Sequence, residues 1–534
     1  MHRALRIQEI ASLIANEVEA YPDLASLART CRILSEPALD ALWSILPSLV
    51  PLLTVFPADL VKRKSYRDCQ HPTYIYDFRR PLTLADWTML KKFSRRVVAI
   101  QPDLSAEELH YDDGNRTWLI VSEKALRALS SPLTPDPVFP KLQHLEWQSP
   151  EPRSFSILRT LAGPSLKVLD LGSMENGFNN FDGVWPRARV WNDLTLQERV
   201  KSIEVIGELG ERSPLMNVFK WMHDCDPNEL RPLVSRSIKA WNYLTLLDVP
   251  PLDADALAHI ALTPHLEEIW LNLPIGSAVT PDIGLQGAIF PNLWNFSLNG
   301  VFSESADFLD ALGGTMSSTN IYFCTYEVGG ASDLSKLFAS VSRHFSPDKA
   351  DSLTVVEDFG GSQVKMDAQS GPGFEMTISS LRPALRLHRI EKVYIDLNRT
   401  VVLGDNDIIE LANAWPKLEE LVFNVNRGFV VPSQITLKGL FELLKRLPGL
   451  KTLGLEIDAR SGTGSGTIPA EPLRHSLRSW NMLDSIVGDN VAEVAEHVRR
   501  LVWYGGFRVK ARKFGKQWGQ VFGILGYQLS EGLF

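Results

Sequence analysis

Apolar positions along this chain fall repeatedly into one short phrase, Pro-x-Leu-x-x-Φ-x-Φ, where Φ is apolar. Trp415-Pro-Lys-Leu-Glu-Glu-Leu-Val-Phe423 states it most plainly, and it returns at Phe139–Trp147, Gly163–Leu171, Thr263–Leu271, Phe290–Leu298 and Leu447–Leu455. In the second half of the phrase the apolar residues alternate, as on a half-buried strand. Ahead of it they recur at helical spacing: Ile408, Leu411, Ala412 and Trp415 share one face, with Asp405 or Asp407 placed to cap the helix. Proline stops such a helix because it has no N–H and disfavours helical geometry in the residue before it. The pattern therefore predicts a unit of helix, proline stop and short strand. Asp253–Pro264 before Leu266 and Gly439–Pro448 before Leu450 follow the same order. One such unit cannot bury its apolar face alone, so the units must stack.

The Leu-x-x-Leu-x-Leu core of these units resembles a leucine-rich repeat. Degenerate copies stand at Val97–Ile100, Val200–Val205, Leu244–Val249, Ile390–Ile395 and Val498–Trp503. Leu244 to Leu266 is a repeat of the usual length of roughly 20–29 residues, but other gaps are far longer. The asparagine or cysteine that the family carries three residues after its last leucine is mostly absent. Pro274 and Val301 hold that place, and only Asn426 fits. The resemblance implies an α/β fold: an irregular, helix-rich leucine-rich-repeat solenoid of parallel strands and helices over residues 97–505. Side chains between the core positions of its strands would form a target-binding face. Glu146, Asp170, Trp270, Ser297 and Val422 are the candidates there.

Residues 1–50 follow a different pattern. Ile7, Ile10, Ile14 and Val18 line one face of a helix, which Tyr21-Pro22-Asp23 breaks. With Asp23 as N-cap, a second helix is predicted from Leu24 to Leu34, and Ser35-Glu-Pro37 begins a third over Ala38–Trp43. Three short helices make too small a core to be very stable alone, so they lean on a neighbour or a partner. The run from Asp23 to Trp43 resembles an F-box of the form found in many fungal proteins. Its helix with a Val/Thr-Cys-Arg-x-Φ ending falls on Leu24, Leu27, Thr30, Cys31, Arg32 and Leu34, and its closing Leu-Trp on Leu42-Trp43. The family's opening Leu-Pro is here Leu5-Arg6-Ile7, without proline.

That resemblance implies a substrate receptor of an SCF-type (Skp–cullin–F-box) ubiquitin ligase, a non-enzymatic subunit acting in cytoplasm or nucleus. Ile7, Ile10, Leu24, Leu27, Cys31, Leu34, Leu42 and Trp43 would bind the Skp adaptor, which links the chain to a cullin. The same helices also fit a second reading, a bundle that merely caps a solenoid, which such arrays require. Exposure separates the two: an adaptor-binding face must present Ile10, Leu24 and Trp43 outward as one apolar patch.

Composition changes this picture little. The chain is 45% apolar and 22% charged, with net charge −8, which argues against a whole-surface nucleic-acid binder. No apolar run reaches the roughly 18 residues of a membrane span, and Glu9 and Glu17 interrupt any secretory signal. Cys31, Cys69, Cys225 and Cys324 are scattered without CxxC spacing, as expected of reduced thiols. Residues 51–96 read as a connector whose basic runs, Lys62-Arg63-Lys64 and Lys91-Lys92, serve either an acidic partner or solvent. On a turn-rich loop, Phe178, Phe181 and Trp185 are either binding anchors or plugs between repeats. The stretch from Arg499 to Lys516 holds seven basic residues and no acidic one, and residues 506–534 read as a basic, aromatic tail. Phe507, Phe514 and Trp518 interleave with those charges, so the tail is either an anion-binding segment or a solvated extension. Gly462, Gly464 and Gly466 lack the GK[ST] ending of a phosphate loop, and neither HExxH nor G-x-S-x-G occurs. The sequence implies no cofactor, no metal and no membrane partner.

Overall fold

The structure is a computed structural model that describes residues 7–66, 73–101, 118–133, 137–147, 152–172, 196–221, 227–273, 283–327, 330, 332–358, 374–460, 473–501, 508–511, 516–526 and 530–531. Cys69, Cys225, Phe178, Phe181, Trp185, Phe507, Phe514 and the 461–469 glycine loop lie outside the described residues. The chain divides into two compact units, Met1–His265 and Leu266–Phe534.

The first unit opens with helices α1 (Gln8–Asn16), α2 (Tyr21–Thr30) and α3 (Arg32–Ser44). Three expectations fail here: α2 begins at Tyr21 with Ala20 at its N-cap, so Asp23 lies in the first turn rather than capping it. The chain does not restart at Pro37, because α3 runs straight through it and gives up only the hydrogen bond that a proline cannot make. The break falls instead at Cys31, which is fully extended (φ −159°, ψ 159°) and separates α2 from α3. From the end of α3 the chain enters a ladder of parallel strands paired in chain order: Ile45–Leu46, Ala99–Ile100, His144–Glu146, Val168–Leu171, Val218–Trp221 and Leu246–Val249.

Residues 51–96 are not a loose connector. Val61–Tyr66 and Thr73–Phe78 form an antiparallel hairpin, and Trp118–Val121 adds to it in parallel. The Leu84–Ser94 helix follows, capped by Thr83 and Asp86. Arg80 forks onto Asp86 (2.6 and 3.1 Å) and holds that carboxyl well below its usual range. The basic run is used within the fold, since Lys62 pairs with Asp77 (3.0 Å) and the Arg63 guanidinium lies 4.4 Å from the Tyr74 ring centre. Two contacts fasten α3 to this region. The Trp43 and Phe93 rings meet at 4.7 Å, and buried Arg96 bonds Glu36 (2.6 Å) and Asp40.

The second unit is a longer parallel ladder: Glu268–Asn272, Asn295–Asn299, Asn320–Thr325, Ser352–Glu357, Lys392–Asp396, Glu420–Phe423, Thr452–Gly454, Ser479–Asn481, Arg508–Ala511 and Ser530–Glu531. Helices such as Asp333–His344, Asp405–Ala414 and Leu437–Arg446 connect its strands. All six copies of the proline phrase deliver their predicted strands. In register, Ile269, Phe296, Ile321, Leu353, Val393, Leu421, Leu453, Trp480 and Val509 form one buried row. The helix ahead of Trp415 runs as predicted, but Asp405 does not cap it. Asp407 accepts the Gly404 N–H (2.8 Å), while Asp405 accepts from Thr436 N and Oγ1 (both 2.7 Å), the cap of the next helix. A Cβ at Gly439 would collide with that Asp405 carboxylate, so glycine is required where the two helices approach.

Two of the degenerate copies are helix rather than strand. Val200–Val205 lies inside the Leu196–Arg212 helix and Val498–Leu501 inside Val491–Leu501, because apolar residues three apart fit a helix face equally well. The strands belonging there are Val218–Trp221 and Arg508–Ala511. The latter shows that the repeats do not end at 505. Beyond it the Lys516–Leu525 helix buries Trp518, Val521 and Phe522, and Trp518 Nε1 donates to Ser485 O (2.8 Å). The described part of the C-terminal segment is therefore an amphipathic helix anchored in the core by one face, not a wholly solvated tail.

The buried repeat asparagine stands two residues before the expected Asn426. Asn424, fully buried with φ +48°, accepts from Leu397 N (2.9 Å) and donates to Arg399 O (3.1 Å) and Gly428 O (3.2 Å). Asn426 instead donates to Asp396. Nearby, Glu357 and Arg399 form a fully buried ion pair (2.7 Å), with Asn398 N donating to the second Glu357 oxygen (2.7 Å).

Candidate interaction surfaces

Helix α1 is built inside out. Its buried residues are Ala11 and Ala15, while Leu13 and Ile14 are 62% and 37% exposed and Ile7, at its N-cap, is 48% exposed. Ile7, Ile10 and Ile14 share one flank at helical spacing, and Ile10 is half-buried. Tyr21 on α2 and Ile33 on α3 are exposed as well. Burying one such side chain against a partner is worth about 1.5–3 kcal/mol. Leu27, Cys31, Leu34, Leu42 and Trp43 are half-buried, with Trp43 committed to Phe93. The outward patch of Ile10, Leu24 and Trp43 expected of an adaptor-binding face is not formed: Ile10 and Trp43 are half-buried, and Leu24, at 4% exposure, belongs to the small core where α2 packs along α3. Nothing in the spacing separated Leu24 from the exposed Leu13 and Ile33, because both kinds of position are apolar at helical intervals.

The strand faces opposite the helices are the second surface. In the first unit the row between core positions reads Glu146, Asp170, Lys220 and Asp248, in direct register. It is charged and partly self-paired: Lys220 bridges to Asp170 (3.3 Å) and His144 to Glu146 (3.0 Å). Glu146 and Asp170, expected from the sequence, are thus neighbours. Lys220 was missed because its strand lacks the proline phrase.

In the second unit the same row reads Trp270, Ser297, Tyr322, Thr354, Tyr394, Val422, Gly454, Asn481 and Lys510. Trp270 and Tyr322 stand on the strands either side of Ser297, and their ring centroids meet at 5.6 Å. Ser297 is consequently buried, with its Oγ lacking a hydrogen-bond partner among the described residues. Val422 is buried too, since it folds over the bare backbone of Gly454. Of the three expected contacts in this unit only Trp270 reaches the surface; Tyr322 and Tyr394 are half-exposed partners that the leucine spacing did not flag. Burial, then the neighbouring Asp396 charge, pushes the Tyr394 phenol up to about 12. Burial raises Tyr322 as well, so both phenols keep their protons at neutral pH.

A small apolar pocket lined by Leu53, Leu90, Phe139 and Leu161 lies in the first unit. Its one polar side chain, Thr160, already donates to Leu129 O (2.7 Å), which makes it a packing gap. Among the described residues no group of three or more His, Cys, Asp or Glu is placed to hold a metal ion, and no helix is long and apolar enough to cross a membrane.

Parallel strands paired in chain order, many of them delivered by the leucine phrase and many joined by helices, define an α/β leucine-rich-repeat solenoid. No family model and no curated protein matches the sequence. Among solved structures, the leucine-rich repeat-containing protein LegL7 from Legionella pneumophila is similar over 62% of this chain and 85% of its own, at 13% identity and a TM-score of 0.26. A chain of the Rad7 and Elc1 complex in yeast is similar over 88% of this chain and 92% of its own, at 14% identity and a TM-score of 0.27. Superpositions this loose carry no functional assignment, and the repeat architecture rests on the strand register itself.

Proposed function

We propose that this protein is the substrate-recognition subunit of an SCF-type ubiquitin ligase. Its N-terminal helices bind a Skp adaptor, through which a cullin is recruited, and its open strand faces hold a target protein. The observation that carries this reading is the inversion of α1, which keeps alanines inside and leaves Ile7, Leu13 and Ile14 in solvent. A helix that only capped the repeats would turn its large residues toward them. The role is positional: holding a target beside a ubiquitin-charged enzyme raises effective concentration and needs no catalytic group in this chain.

The test is capture of recombinant Skp adaptor and cullin by the full-length protein. Ile10→Asp with Ile14→Asp should abolish capture while leaving the melting transition in place. Capture that survives both changes, or never occurs with the unaltered protein, refutes the reading. The second reading, a repeat scaffold whose N-terminal helices serve as a cap, draws on the Trp43–Phe93 and Arg96–Glu36/Asp40 contacts. Under it the same substitutions change no adaptor binding, because there is none.

A further inference from the structure

We propose that the last strands of the second unit bind a short acidic segment of the target, whose aspartate or glutamate carboxylates dock on Arg478 and Arg508 beside the Thr452 and Ser479 hydroxyls. This rests on the reading that the strand faces hold a target, and names the chemistry that this end of the face selects.

Backbone hydrogen bonds bring the groups together. At the edge where the strands begin, Glu419 N donates to Glu391 O and Lys451 N to Glu419 O (both 2.7 Å), then Arg478 N to Lys451 O and Arg508 N to Arg478 O (both 2.8 Å). Charge along this edge therefore changes sign, from Glu391 and Glu419 to Lys451, Arg478 and Arg508. Where the signs meet, the chain matches its own cations: Lys451 pairs with Glu419 (2.6 Å) and Lys392 with Glu420 (3.7 Å). Arg478 and Arg508 are both exposed, and among the described residues their side chains make no hydrogen bond or ion pair. Arg508 stands in register beside Ser479, and Ser479 beside Thr452. Each of the three precedes a buried core residue, Val509, Trp480 or Leu453, so their side chains leave the sheet on its open face. Both hydroxyls are half-exposed and have no side-chain hydrogen bond among the described residues.

This end selects by charge and by length. A bound carboxylate takes the place beside the arginines that Glu419 and Glu420 hold beside their lysines, and a guanidinium forks onto it through two parallel N–H···O bonds. A basic segment would meet two like charges, and an apolar one would strip water from both guanidiniums and replace it with nothing. Lys451, Arg478 and Arg508 stand on three successive strands about 4.8 Å apart, so the basic stretch spans roughly 10 Å, the length of about three extended residues. A long polyanion following the edge would run on against Glu419 and Glu391, which favours a short acidic run on a protein over a nucleic acid.

The experiment is fluorescence anisotropy of full-length protein titrated against capped fluorescein peptides: three consecutive glutamates in a Gly-Ser frame, the same frame with three lysines, and the same frame with one phosphoserine. A short labelled oligothymidylate is the fourth probe. The Glu peptide should bind, and the Lys peptide should not bind measurably. Arg478→Ala and Arg508→Ala, both at exposed positions, should each weaken the Glu peptide by about fivefold. Arg478→Glu with Arg508→Glu should abolish its binding and admit the Lys peptide instead. Arg382→Ala, which removes an exposed arginine already paired with Glu410 (2.8 Å), should change nothing. Tighter binding of the phosphoserine peptide or the oligothymidylate than of the Glu peptide, Glu-peptide binding that survives the double exchange, or an equal loss with Arg382→Ala overturns the inference. Adaptor capture is measured on the same preparations. Capture without Glu-peptide binding overturns this inference alone, whereas Glu-peptide binding without capture overturns the ligase reading and upholds the acidic-segment site.

Discussion

Helix α1 and the Leu437–Arg446 helix are nearly the same length, yet they bury opposite things. Leu437–Arg446 turns Leu437, Leu440, Phe441, Leu443 and Leu444 into the repeat core and leaves its lysines and arginine outside. Helix α1 buries two alanines and exposes isoleucine and leucine. Both have an amphipathic pattern, so amphipathicity alone does not say what covers a face. In the repeats, the covering element is the neighbouring unit of the same chain. At the N-terminus Leu13 and Ile14 stay exposed among the described residues, and under the proposed function the adaptor is what covers them.

The sharpest way to break this contrast is to remove a large side chain from the repeat helix. Leu440→Ala should cost about 2–5 kcal/mol, read as a lower denaturant midpoint, because the closely packed site cannot collapse around the loss. A much smaller cost would mean that the repeats are as loosely covered as α1. Next in size, Arg96→Ala removes both ion pairs to α3, leaving the Trp43–Phe93 contact, and should lose on the order of 1 kcal/mol, its carboxylate partners being largely exposed. The second unit should report this change by hydrogen exchange far less than α3 does.

Acidification offers a third probe, directed at the repeats. His475 is buried; its Nδ1 accepts from Leu477 N (3.1 Å), and its Nε2 therefore donates to Leu501 O (2.7 Å). Burial holds its pKa below the ordinary value of about 6.5, with the Leu501 bond opposing. The unfolded chain thus takes up the proton first. Stability is full above the unfolded value and falls as pH drops from about 6.5 toward the folded value. The denaturant midpoint should decline between neutral pH and mild acid, and His475→Gln, which can keep both bonds without titrating, should flatten that decline. The smallest effect belongs to α1: Ile14→Ala should change stability by less than about 0.5 kcal/mol, as at ordinary exposed positions, while weakening adaptor capture. A large stability loss there would place Ile14 in a core and favour the cap reading.

Six copies of one phrase determined the strand–helix architecture without any coordinates, because proline, leucine spacing and alternation each act locally. The same local grammar located Glu146, Asp170 and Trp270 on the strand face, since a strand's side chains must alternate. What it could not reach depended on neighbours distant in sequence. Only packing decided that Val200–Val205 is helix, that Trp518 is core, and that Leu24 is buried while Leu13 is not. Ser297 and Val422 sit at the predicted strand positions, yet lie covered because Trp270 and Tyr322 meet above the one and a glycine lets the other fold down. The alternation of a strand is set by its own backbone geometry, but the access of each side chain is set by the residues on adjoining strands, which only the folded register brings side by side.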